Sequence, residues 1–131
     1  MNRSTGPFDV KMTPQESDPA EGGVTLARLA LEKRYHGALE ADAIGTMISA
    51  TTLVKGSAAY SAIERVTGTL EGREGSFVLQ HTGVMERGTP SLRITVVPDS
   101  GTGALAGLTG TLEIVIEAGR HSYVFNWDLP A

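Results

Sequence analysis

Glu64 and His81 are the two residues of this sequence whose types and placement lend themselves to chemistry. Each falls in a run where apolar and polar residues alternate, and each lies on the apolar side of its run. A carboxylate and an imidazole held together among apolar neighbours can pass a proton, the work of a general acid–base pair. The same two residues could equally form an internal ion pair or hydrogen bond that fixes strand register, since no nucleophile accompanies them. His121 is a second imidazole on an apolar face. With Glu64 and His81 it makes up the two-histidine, one-carboxylate set of some metal centres. Neither His-x-His nor His-Glu-x-x-His spacing supports that set, so no metal and no cofactor is assigned. His36, beside Gly37, reads as a solvent-facing residue at a strand end.

Two other motifs invite chemistry and are set aside. The stretch Ser100-Gly101-Thr102-Gly103-Ala104-Leu105-Ala106-Gly107 has the look of a phosphate loop. Its glycine spacing is off by one for the dinucleotide fingerprint, and no Gly-Lys-Ser/Thr follows. The next run is β-branched rather than helical, and without a helix N-terminus an anion site loses its physical basis. The segment reads as a structural crossover. No Gly-x-Ser-x-Gly elbow occurs, which leaves Ser57 and Ser76 as pocket hydroxyls.

The elements that must position these residues are strands. Period-two alternation recurs along almost the whole chain. Phe8, Val10 and Met12 alternate with polar partners, and residues 14–23, acidic and rich in breakers, read as a surface loop. Residues 24–35 are ambiguous: Leu26, Leu29, Ala30 and Lys33 suit one face of a helix, whereas Ala27, Leu29 and Leu31 alternate against Arg28, Ala30 and Glu32. We read them as a strand. Further strands are expected over residues 44–53, 59–70, 75–85, 91–97, 111–117 and 120–127, with turns around Gly56, at residues 71–74 and at Ala118-Gly119. A glycine-rich connection spans residues 99–110. The sixteen glycines are spread along the chain, as many short turns require. The five residues 67–71, Thr-Gly-Thr-Leu-Glu, recur at 109–113. Glycine at a barrel corner accounts for the echo without invoking duplication.

About eight strands and no convincing helix imply an all-β fold, a small closed antiparallel β-barrel, with a two-sheet sandwich as the competing architecture. The interior of such a barrel is just large enough for side chains or one small ligand. A length of 131 residues fits one domain, residues 1–131. No cysteine is present, which excludes disulfides and thiolate chemistry. A net charge of −4 and scattered basic residues argue against a nucleic-acid partner. No apolar run approaches the ~20 residues of a membrane helix. With no hydrophobic stretch in residues 1–7, the cytoplasm is the expected compartment.

Pairing arithmetic sets the inward faces. With a four-residue turn at 71–74, Leu70 pairs with Gly75, Glu64 with His81, and Tyr60 with Met85; a slip of two residues changes partners but not faces. The inward face then carries Tyr60, Ala62, Glu64, Val66, Phe77, Leu79, His81 and Met85. With Ala118-Gly119 as a two-residue loop, Glu117 meets Arg120 in a surface ion pair, Ile116 meets His121, Ile114 meets Tyr123 and Leu112 meets Phe125. Trp127 continues that inward face.

Four motifs then carry a family resemblance: Gly56-Ser57-Ala58-Ala59-Tyr60 with Glu64 four residues on, the run from Gly72 to His81, the run from Val97 to Gly107, and His121-Ser122-Tyr123. Together they resemble the bacterial family known as domain of unknown function 3224, over nearly the whole chain. The resemblance implies an allene-oxide-cyclase-like barrel of eight strands. The Ser-Gly-Thr-Gly segment also looks like the glycine-rich stretch of allene oxide cyclases and dirigent proteins. Those relatives bind apolar substrates inside the barrel, and the cyclases are usually trimers, so the resemblance implies a homo-oligomer as well. Departures are Ala59 and Asp99, where glycine is expected, and Trp127, where tyrosine is expected. The cyclase's polar catalytic residues cannot be matched onto this sequence.

Three readings follow. In the leading one the barrel binds a small hydrophobic or amphipathic molecule, oriented by Tyr60, Glu64, His81 and His121, with Phe77 and Tyr123 completing the pocket. In the second, an isomerase or cyclase, Glu64 is the base and His81 the electrophilic donor. In the third the barrel is filled solid and serves as a scaffold.

Overall fold

Side chains that alternate between apolar and polar along an extended chain form a sheet with one dry face, and closing that sheet removes its unpaired edges. The structure, a computed structural model describing residues 1–19 and 22–130, takes this course. Its strands are β1 (Asn2–Pro19), β2 (Thr25–Tyr35), β3 (Leu39–Thr51), β4 (Ala58–Leu70), β5 (Arg73–Glu86), β6 (Thr89–Val96), β7 (Thr109–Glu117) and β8 (Arg120–Asp128). They follow one another in sequence order around a closed antiparallel barrel. Among the described residues no helix is long and apolar enough to cross a membrane.

Of residues 24–35, Thr25–Tyr35 are strand, as the alternation of Leu29 and Leu31 implies. Residues 14–23 depart from the expected loop. β1 continues as far as Pro19, pairing with β2 down to Thr25 through a register shift between Pro14 and Glu16. A proline without an N–H is tolerated at such an edge or bulge. Ala20 and Glu21 lie outside the described residues.

Three hairpins turn on two residues: Glu71-Gly72, Arg87-Gly88 and Ala118-Gly119, with φ of 49° and 79°, 48° and 93°, and 51° and 77°. Positive φ at both central positions is the turn whose twist matches its strands. The turn between β4 and β5 is therefore shorter than the expected four residues. Leu70 pairs with Arg73, Glu64 with Leu79, Ala62 with His81, and Tyr60 with Gly83. The register is slipped by two residues, and the inward face survives because side chains repeat every second residue, except at the strand end, where Met85 lies beyond the barrel interior and is exposed. The last hairpin pairs as expected, from Glu117 with Arg120 to Leu112 with Phe125. Across its tip, however, Glu117 and Arg120 form no ion pair: both are exposed, and water competes for their charges.

One half of the barrel is packed solid. Leu39, Leu70, Phe77, Leu79, Tyr123, Phe125 and Trp127 fill it, and Leu105 and Leu108 plug its end; they belong to the β6–β7 connection, which joins antiparallel neighbours and so is not the expected crossover. The connection is tied to β5 by hydrogen bonds from the Ser76 N–H to Thr102 Oγ1 at 3.0 Å and from the Val78 N–H to Ser100 Oγ at 3.0 Å. The Ser-Gly-Thr-Gly segment thus spends its hydroxyls on the barrel wall. Ser76 and Ser57 are not pocket hydroxyls either: Ser76 Oγ bonds Thr102 Oγ1 at 2.6 Å, and Ser57 Oγ accepts from the Arg87 N–H at 3.0 Å. The Thr-Gly-Thr-Leu-Glu echo has a steric reason. A Cβ on Gly68 would stand 2.1 Å from the Glu40 carbonyl oxygen, and one on Gly110 would stand 2.4 Å from that of Asn126.

Candidate functional site

Four inward positions meet in the middle of the barrel. The alternation that buries Leu31 also turns Lys33 and Tyr35 inward on β2, and the same rule turns Glu64 inward on β4 and His81 on β5. β2 and β4 are separated by β3, so their backbones stand about 10 Å apart. The inward residues of β3 are small here: Ala43 pairs with Lys33, and Gly45 pairs with Glu64. Lys33 and Glu64 meet across this gap, with Lys33 Nζ donating to Glu64 Oε2 at 2.7 Å.

His81 Nε2 bonds the same carboxylate oxygen at 2.6 Å, and the Tyr35 hydroxyl donates to Oε1. Lys33 Nζ also reaches the Tyr35 hydroxyl at 3.4 Å. The ammonium lies 5.4 Å from the centroid of the Phe8 ring, within cation–π range. Glu64 is 1% exposed, His81 2% and Lys33 8%. Among the described residues no buried side-chain nitrogen or oxygen lacks a partner.

Burial alone would push the Glu64 carboxyl up. The hydrogen bond from His81 and the charge of Lys33 outweigh it, holding the group down at about 2. Glu64 is therefore a carboxylate at neutral pH, and His81 Nε2 must carry the hydrogen between them. Burial and the neighbouring Glu64 charge raise the Tyr35 phenol well above its ordinary value, so it stays a donor. Tyr60 is raised by the same two causes, more modestly.

Above this network the barrel opens. A cleft of about 210 Å³ is lined by apolar side chains, among them Met12, Leu31, Met47, Leu92 and Ile116, and by four polar ones: Lys33, Tyr60, His81 and His121. It adjoins an apolar groove of about 270 Å³ that shares Met47, Tyr60 and Leu92. The groove is the larger, but the cleft holds the polar groups and is the candidate site. The cleft's outer rim is exposed: Met12, Leu92 and Ile116 all face solvent.

The sequence-derived candidates divide by depth. Tyr60, His81 and His121 line the cleft. Glu64 is absent from the lining and lies behind Lys33 and His81, its oxygens occupied. Phe77 and Tyr123 point inward but belong to the packed half. Phe77 stacks on Phe125 with ring centroids 5.6 Å apart, and the Tyr123 hydroxyl accepts from the Leu39 N–H at 2.9 Å and donates to the His36 carbonyl at 2.8 Å. Phe77 and His81 are four positions apart, which is about 13 Å along an extended strand. His36 is at the surface, 3.1 Å from Asp9. Among the described residues no three His, Cys, Asp or Glu side chains converge as a metal site.

Sequence reasoning missed Lys33 and Tyr35. The signal was available: both continue the odd-numbered face of Leu29 and Leu31.

Gly45 offers a test of how the site is built. A Cβ there would lie 2.2 Å from the Ile63 carbonyl oxygen and 2.9 Å from the Glu64 Cβ. Gly45→Ala forces β3 and β4 apart beneath the ion pair, an overpacking cost of about 1–3 kcal/mol. Urea unfolding is the measurement; an unchanged midpoint would mean that the strands are not this close in solution.

The comparisons with known proteins fall in line with this architecture. The family model described as "Protein of unknown function (DUF3224)" matches residues 4–127. A crystal structure of a protein with unknown function from the DUF3224 family of Shewanella oneidensis MR-1 is 52% identical. The alignment covers 100% of this chain and 98% of that one, with a TM-score of 0.96. No curated protein matches. With the match spanning the strands that build both the packed half and the open cleft, the chain belongs to the DUF3224 family.

Proposed function

We propose that this protein binds a small hydrophobic or amphipathic molecule at the open end of its barrel. The observation that carries the reading is the cleft itself: an apolar mouth with a floor of buried, prearranged polar groups. Concave apolar sites with a few convergent polar groups are where small molecules bind. The packed half supplies rigidity, so the Lys33–Glu64–His81 network keeps its geometry without a ligand.

Chemistry that needs Glu64 as a base is less well supported. A carboxylate that accepts from three donors and is held at about 2 has little affinity for a substrate proton. Its fitting role is to anchor Lys33 and His81.

The test is titration with a neutral fluorescent probe, N-phenyl-1-naphthylamine. Its emission rises and shifts to the blue with wild-type protein. Met47 lines both the cleft and the adjoining groove, so Met47→Trp weakens probe binding at least tenfold while far-UV circular dichroism is unchanged. Equal binding to the variant would place the probe elsewhere and remove the support for this site.

A further inference from the structure

We propose that the ligand is a small carboxylic acid built on a single ring, its carboxylate set against Lys33 and Tyr60. The inference rests on the reading of the cleft as a ligand site and adds the chemistry of the ligand.

The argument is one of charge and of free valences. No acidic residue lines the cleft; its polar groups are Lys33, Tyr60, His81 and His121. Among the described residues Glu64 is the one buried carboxylate, and both of its oxygens are taken, Oε1 by Tyr35 and Oε2 by Lys33 and His81. The site therefore offers a ligand no free carboxylate. It does offer donors. An ammonium carries three hydrogens, and those of Lys33 reach Glu64 and Tyr35 within the protein, leaving one for the cleft. His81 uses its Nε2 hydrogen for Glu64, so Nδ1 of the neutral ring is an acceptor, and the second donor facing the cleft is the Tyr60 hydroxyl. A ligand cation placed there would meet the Lys33 ammonium first, with the Glu64 carboxylate behind it and its oxygens occupied. A ligand anion would meet an ammonium fixed in place by a hydrogen-bonded partner, inside apolar walls that strengthen the attraction.

Size narrows the class. An apolar cavity of about 150 Å³ takes benzene. The cleft, at about 210 Å³, takes a ring with one small polar group, while the exposed rim of Met12, Leu92 and Ile116 leaves room for a substituent.

The experiment is NMR chemical-shift titration of the full chain with benzoate, benzyl alcohol and benzylamine, three ligands that share a ring and differ in charge. We expect benzoate to bind at least tenfold more tightly than benzyl alcohol, and benzylamine not to bind. Glu64→Gln removes the internal counter-anion and raises benzoate affinity several-fold. His121→Glu places a negative charge on a half-buried wall residue, so it tests the idea even if Glu64→Gln fails to fold. It weakens benzoate at least tenfold more than it weakens benzyl alcohol. Benzylamine binding as tightly as benzoate, or benzoate indifferent to His121→Glu, overturns the proposal. If N-phenyl-1-naphthylamine binds and benzoate does not, the acid is wrong and the cleft remains. If neither binds, the ligand site itself is wrong.

Discussion

Lys33→Met unfolds at markedly lower urea concentration than the wild type, a loss of about 3–5 kcal/mol. The cause is the charge left behind. Lys33 and Glu64 have side chains 5% and 1% exposed and are 2.7 Å apart. Without the ammonium, the carboxylate keeps the donors of His81 and Tyr35 but loses its compensating charge, and water cannot replace it. The loss is of this size because removing one member of a buried pair strands the other, whereas removing both does not. Lys33→Met combined with Glu64→Gln is therefore more stable than Lys33→Met alone, and the non-additivity measures the coupling. A Lys33→Met midpoint equal to that of the wild type would mean that the lysine reaches water in solution and the ion pair is not internal.

The second large effect is on acid stability. Glu64 is held at about 2 in the folded chain, against roughly 4.3 for an unfolded glutamate. A lowered native value gives stability that is fully present above the unfolded value and lost as the pH falls from about 5 toward 2. At about 1.4 kcal/mol for each unit, the contribution is on the order of 3 kcal/mol. Glu64→Gln has no such proton to gain. The wild type is thus the more stable protein at pH 6, and its advantage over Glu64→Gln shrinks steadily on acidification. Glu40 is also held low, by the Gly37 N–H and Arg34 among other groups, but it is common to both proteins and cancels in the difference. Thermal melts of the two proteins at several pH values from 3 to 6 decide the matter. A constant gap would mean that Glu64 is not the titrating group.

Both effects come from residues that the sequence exposes to different degrees. Alternation on β4, β5, β7 and β8 was enough to put Tyr60, Glu64, His81 and His121 on inward faces, because that periodicity is local and survives a slipped register. The Ala118-Gly119 turn fixed the pairing of β7 with β8 in the same way. Glu71-Gly72 misled because the strand runs right up to it: four turn-like residues in a row concealed a two-residue loop.

Residues 14–19 misled for the opposite reason. Composition rich in prolines and acids marks an exposed chain, and an edge strand is exposed too.

The sequence by itself determined the all-β class, about eight strands and which faces turn inward, since these follow from a repeat that every pair of residues restates, while closure into a barrel rather than a two-sheet sandwich was decided by the tertiary structure. The tertiary structure alone decided which inward residues share a site. Lys33 meets Glu64 because Ala43 and Gly45 leave a gap on the strand between them. Phe77 and Tyr123 fall in the filled half because they sit nearer the plugged end of the strands whose His81 and His121 line the cleft. Depth along the barrel and contact across an intervening strand depend on closure, stagger and side-chain volume together, and no periodicity records them.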